Sequence, residues 1–146
     1  MNKTILLVSF IPLFAVIGKI LAYKYTLKRE FYEDFNLFIN ELESEINFTQ
    51  NSIDYVIKNF PNDRLFIKSF KSTKIKILTN NEQVTYNNFF SSLGKVDIFT
   101  QKESLKEIKK YVKDYYELAK KTELEKNSLY FKLSILLGIL TLILFI

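Results

Sequence analysis

Apolar residues crowd both ends of the chain and thin into a helical rhythm between them. From Thr4 to Tyr23 the run TILLVSFIPLFAVIGKILAY carries one charge, Lys19. Its length, about 20 residues at 1.5 Å each, is enough to cross roughly 30 Å of hydrocarbon. From Leu129 to Ile146 the run LYFKLSILLGILTLILFI has Lys132 near its entry. At about 18 residues it is short for a full crossing unless it tilts or sinks a little into the bilayer. Residues 4–23 and 129–146 therefore read as membrane-embedded helices, and 24–128 as one soluble domain between them. Two other readings compete. The last segment as an interfacial helix fails to explain why Ser134 to Ile146 has no polar face. A signal peptide cleaved near Val16-Ile17-Gly18 fits poorly with an apolar run that continues past Gly18 into its more basic flank.

Between the ends, Phe31, Phe35, Phe38, Leu42 and Ile46 recur every three or four residues, which predicts an amphipathic helix leaving the membrane and reaching about Phe48. Its acids, Glu30, Glu33, Asp34, Glu41, Glu43 and Glu45, fall mostly off that stripe. Polar Thr49 to Ser52 interrupts it, and Asn51 or Ser52 is a candidate cap for a short helix through Ile53, Val56 and Phe60. Pro61-Asn62-Asp63 reads as a turn, followed by a third helical piece on Leu65, Phe66, Ile67 and Phe70. Lys74 to Leu78 alternates like a strand, but a lone strand has no partner, so helix end or loop is the reading. Thr79-Asn80-Asn81 breaks the pattern again. Val84, Tyr86, Phe89, Phe90 and Leu93 then form another helix, with Gly94 as its C-terminal cap.

After Gly94 there are two helix-start signals: Asp97, and a capping box of Thr100 with Glu103. Leu105, Ile108, Val112, Tyr115, Ala119, Thr122, Leu129 and Leu133 follow at heptad-like spacing, interrupted at Lys126. No proline or glycine intervenes before Gly138, so one long helix should run into the last apolar segment. The fold expected is all-α: a membrane-anchored antiparallel helical bundle with N-terminal and C-terminal transmembrane segments.

Charge then orients the hairpin. Lys24, Lys28 and Arg29 follow the first segment and Lys113, Lys120, Lys121 and Lys126 precede the second, which puts the middle in the cytoplasm. Composition narrows the chemistry. The chain has no cysteine, histidine or tryptophan, so the usual general base, thiol nucleophile and transition-metal ligands are missing. It also lacks a glycine-rich phosphate loop. No catalytic residue, cofactor or metal is assigned, and any energy must come from another subunit. The net charge of +5 is spread among acids rather than gathered in a patch, which argues against nucleic acid.

Few side chains stand out as sites. Glu41, Glu43 and Glu45 alternate and so diverge around a helix, as a solvated face does. Asp97 with Gln101 is either a helix cap or a polar contact. Lys126 breaks an apolar register and either meets a partner or an acid, or snorkels to lipid phosphate. Tyr111, Tyr115, Tyr116 and Tyr130 line the last helix as core and interfacial aromatics.

In order, these features resemble the stage III sporulation protein AB family of endospore-forming bacteria. The resemblance rests on LKREFYEDFNLFINELESEINFTQNSI, on SLGKVDIFTQ and on ELAKKTELEKNSLYFKLSILLGILTLILFI. Within them Glu45, Ile46 and Thr49, then Leu93, Gly94, Asp97 and Gln101, then Lys126, Leu129, Tyr130, Leu133 and Gly138 match the family pattern. Gln50 stands where the family has proline, Leu137 puts Gly138 out of step, and the stretch before Phe89 is shorter. The resemblance implies a mother-cell membrane protein, embedded in the membrane that engulfs the forespore. It would belong to a channel or secretion-like complex, with a helical domain similar to that of type II secretion F-type platform proteins. Its implied partners are the stage III sporulation AA ATPase, other channel subunits and the membrane, and a homo-oligomer is compatible with the pattern. Glu45, Thr49, Gly94, Asp97, Gln101, Lys126 and Tyr130 become the candidate partner-binding residues. The competing class is a small pore-forming or holin-like protein whose two spans oligomerise.

Overall fold

A computed structural model of the chain describes residues 10–48, 53–61, 64–70, 75–93, 95 and 98–145. Every regular element among them is helical: α1 Phe10–Phe48, α2 Ile53–Asn59, α3 Leu65–Phe70, α4 Asn80–Ser92 and α5 Ile98–Phe145. The two long helices match the periodicity in the core-forming stripes, Phe31, Phe35, Phe38 and Leu42 on one and Leu105, Ile108 and Val112 on the other. α1 is unbroken for 39 residues and carries the whole apolar stripe from Phe31 to Ile46. α5 is unbroken for 48 residues, through the absence of proline and glycine up to Gly138. The chain divides into two compact units, residues 27–119 and residues 1–26 with 120–146.

In the unit 27–119 one hydrophobic core takes side chains from all five helices. α1 contributes the stripe Phe31, Phe35, Phe38 and Leu42, each essentially without solvent exposure, and α5 answers with Leu105, Ile108, Val112 and Ala119. Between them Phe66 of α3 is the centre of an aromatic cluster. Its ring stacks on Phe35 at 4.8 Å and meets Phe38 at 4.9 Å and Phe31 and Phe90 at 5.8 Å. A helix of six residues is far too short to hold itself. Phe66 and Ile67 anchor α3 by burial.

The connections are made by local chemistry. Phe60 closes α2 with a hydrogen bond from its amide to the Val56 carbonyl (2.9 Å), and Pro61 cannot extend the helix. Residues Ile75 to Leu78 form a turn, the Leu78 amide donating to the Ile75 carbonyl at 3.1 Å, so the loop reading holds there. Ile75 itself is buried, and its amide donates to Gln83 Oε1 at 2.9 Å.

Three local expectations need correction. Thr79-Asn80-Asn81 does not merely interrupt a pattern. Thr79 caps α4 through a full capping box, accepting from the Glu82 amide while the Glu82 side chain accepts from the Thr79 amide. The box expected at Thr100 and Glu103 is not a helix start, because α5 is already formed at Ile98 and Thr100 lies inside it. Asp34, expected off the apolar stripe, is buried at 5% exposure beside Arg64. The expected caps at Asn51 or Ser52, Gly94 and Asp97 lie outside the described residues.

In the unit of residues 1–26 and 120–146 the packing is different in kind. Among its described residues Gly18, Ala22, Ser134 and Gly138 are the buried positions, four residues apart on each helix. The apolar register also shifts here: Leu129 and Leu133, expected on the inward seam, are both 45% exposed. The physical reason is that small residues on the seam let the two backbones approach, which leaves the large apolar side chains facing outward. A Cβ placed on Gly18 would lie 2.0 Å from Ser134 Oγ and 2.9 Å from the Tyr130 carbonyl oxygen. The hydroxyls are satisfied within their own helix, Ser134 Oγ donating to the Tyr130 carbonyl at 2.6 Å and Thr141 Oγ1 to the Leu137 carbonyl at 2.8 Å. α5 is the one helix among the described residues long and apolar enough to cross a membrane, and hardly any of that stretch is covered by protein. Of the first expected span, Thr4 to Ser9 lies outside the described residues.

Candidate functional site

The candidate residues separate into two groups. Glu45, in the last turns of α1, is half-buried and engaged by neighbouring groups; Gln101, in the first turn of α5, is half-buried too. Both belong to the unit 27–119. Lys126 and Tyr130 belong to the other unit, half-buried, with the Tyr130 ring 6.2 Å from that of Tyr25 in a stacked arrangement. Thr49, Gly94 and Asp97 lie outside the described residues.

The end of α1 and the start of α5 enclose a groove of about 310 Å³, lined not by Glu45 and Gln101 but by their sequence neighbours Ile46 and Lys102 among others. Ile46 and Leu105 make its apolar part, Glu43, Lys102 and Lys106 its charged rim, and Phe99 stands beside it 71% exposed. Lys109 pairs with Glu43 and ties the two helices together at this point. An apolar interior, a rim of both signs and an exposed aromatic suit the side chains of a protein partner.

A second groove, about 400 Å³, is mixed, with Phe89 and Ile108 beside its polar groups. Thr85, Asn88 and Ser92 of α4 face Ser104, Glu107 and Tyr111 of α5. Burial pushes the Tyr111 phenol up to about 12, so it remains protonated at any physiological pH. Among the described residues no three carboxylates, histidines or cysteines converge as a metal site.

One buried charge went unread in the sequence. Glu82, at 3% exposure, receives Lys28 Nζ on both carboxylate oxygens at 2.8 and 2.9 Å, the Thr79 amide at 2.7 Å and the Thr79 hydroxyl at 2.8 Å. Burial by itself would raise its pKa. The ammonium and the two Thr79 donors outweigh burial and hold the carboxyl below its usual range. The signal was the Thr-x-x-Glu spacing at the head of α4. Its role is to fasten α4 to α1, since every donor it meets is part of the scaffold. Beside it the buried Tyr32 phenol is pushed far up, first by burial and then by the Glu82 charge.

A family model described as Stage III sporulation protein AB (spore_III_AB) matches residues 63–146, more than half of the chain. The matched stretch contains the Leu93 to Gln101 motif and the Lys126 to Gly138 motif, and it begins after Glu45 and Thr49. No curated protein and no solved structure matches the chain.

Proposed function

Since the chain belongs to the stage III sporulation protein AB family and so has its place in the third stage of spore formation, we propose that it works there as a non-enzymatic membrane scaffold. In this reading the two apolar helices anchor it in the mother-cell membrane facing the forespore, both termini outward. The helical unit 27–119 is an antiparallel bundle in the cytoplasm, comparable to that of type II secretion F-type platform proteins. Its task is to couple a partner ATPase, the stage III sporulation AA protein, to the membrane subunits of a channel or secretion-like complex.

The observation that supports this reading is the groove between the end of α1 and the start of α5, with Phe99 exposed beside an apolar and charged lining. Two of its lining residues, Ile46 and Lys102, directly follow Glu45 and Gln101 in the sequence, and Ile46 is itself one of the residues that match the family pattern. A scaffold needs a docking surface and needs no catalytic group, and this surface provides the first.

Binding of the full chain to the purified ATPase in mild detergent tests the proposal. The expected result is a saturable complex that Phe99→Ala weakens by about tenfold, the loss of one buried aromatic anchor. Absence of binding by the wild-type chain would sink the coupling role. Dye release from liposomes carrying the chain would point instead to the pore-forming class.

A further inference from the structure

The acids and bases are divided very unevenly between the two units. Residues 27–119 carry as many acids as bases, so the whole excess of +5 lies in residues 1–26 and 120–146. There Lys19, Lys24, Lys120, Lys121, Lys126 and Lys132, with Lys3 near the amino terminus, face only Glu123 and Glu125. Among the described residues none of the six later lysines forms an ion pair.

Packing arranges four of them in two tiers. Gly18 fits between the Tyr130 carbonyl and the Ser134 hydroxyl, which puts residue 132 level with residue 18. Lys132 and Lys19 therefore stand at one height on the two helices, both exposed. The second contact, Tyr25 on Tyr130, pairs a higher number on α1 with a lower level on α5, as helices of opposite direction require. Side chains lean toward the N-terminus of their own helix, so these two rings converge between their backbones. That is the height of Lys24 and Lys126, about six residues or roughly 9 Å beyond the first tier. Lys24 Nζ lies 5.0 Å from the centre of the Tyr25 ring, so the stacked tyrosines support the outer tier.

We propose that this two-tier lysine collar binds the phosphates of anionic phospholipids. The inner tier decides the class of ligand. Lys19 and Lys132 lie inside the two apolar runs, where a soluble acidic protein or nucleic acid cannot follow and where an ammonium is costly unless it meets a lipid headgroup. The local excess of positive charge then selects anionic lipids over zwitterionic ones. The inference rests on the reading of these helices as membrane-embedded.

The test uses the full chain in phosphatidylcholine nanodiscs with a trace of spin-labelled phosphatidylglycerol or spin-labelled phosphatidylcholine. Resistance of the membrane-bound chain to alkaline carbonate extraction is established first; release would overturn the embedding itself. With the chain retained, the expected result is preferential immobilisation of the phosphatidylglycerol label by about fivefold. The Lys19→Gln/Lys132→Gln chain should approach parity, and Lys19→Arg/Lys132→Arg should keep the preference. The outer pair Lys24→Gln/Lys126→Gln gives an independent reduction if the inner pair fails to insert. Equal immobilisation of both labels by the wild-type chain overturns the inference, as does an undiminished preference in the Gln variants. Displacement by inorganic phosphate at matched ionic strength would identify a free-anion site instead. Displacement by polyglutamate or an oligonucleotide would identify a macromolecular one.

Discussion

Two buried polar residues in the same core are expected to respond in opposite ways to removal of their polar group. Glu82 is buried but satisfied by Lys28 and Thr79, so Glu82→Gln strands the Lys28 ammonium and weakens three hydrogen bonds. Thermal unfolding of the full chain in detergent should show a loss of about 1–3 kcal/mol at neutral pH. The folded carboxyl titrates below its unfolded value. Its contribution is therefore complete above roughly pH 5 and is lost as pH falls through the lowered pKa. Glu82→Gln should flatten that part of the acid limb, and an unchanged limb would show that Glu82 does not carry it. Tyr86 is the opposite case, its hydroxyl buried without a hydrogen-bond partner and its pKa raised by burial. Tyr86→Phe keeps the ring among Phe35, Phe66 and Phe90 and drops an unsatisfied group. Its expected effect on melting is neutral to stabilising, by up to about 1 kcal/mol.

At the scale of elements, what could be read from the sequence depended on what organises each segment. The stripe Phe31, Phe35, Phe38 and Leu42 and its counterpart Leu105, Ile108 and Val112 are burial patterns, and hydropathy periodicity reports burial directly. The head of α4 escaped because Thr79-Asn80-Asn81 is as polar as a loop, and only the reciprocal bonding of Thr79 and Glu82 makes it a helix start. The seam Gly18, Ala22, Ser134 and Gly138 escaped for the converse reason. In an apolar run the large residues catch the eye, while close packing in lipid is made by the small ones. Gly18→Leu should therefore separate the two helices, since even a Cβ there is too close to Ser134 and the Tyr130 carbonyl. Distances between spin labels on residues 15 and 139 would lengthen by several ångströms, on the order of the added side chain. In the unit 27–119, Phe66→Ala should cost about 3–5 kcal/mol and release α3, whose amides would lose protection from hydrogen exchange. Of the candidate site, the motif positions were legible, but the groove between α1 and α5 was not. It needs the end of α1 and the start of α5 side by side, about fifty residues apart in sequence.

For the whole molecule, the proposed hairpin and its orientation are open to a direct measurement because the chain has no native cysteine. A cysteine at exposed Lys95 should react with a membrane-impermeant maleimide only after cells are opened, and one at Asn2 should react in intact cells. The reverse pattern would invert the topology and remove the proposed ATPase surface from the cytoplasm. The chain also lacks tryptophan, which leaves its nine tyrosines as the main chromophores. Tyr32 and Tyr86 are sealed in the core with their ionisation pushed far up. A phenol whose pKa is raised on folding favours the native state below its unfolded value near 10, and that advantage drains away as pH climbs beyond it. Those rings can yield phenolate only when the core opens. An ultraviolet alkaline titration is thus a label-free optical gauge of core integrity, native to the protein and readable in detergent or bilayer alike.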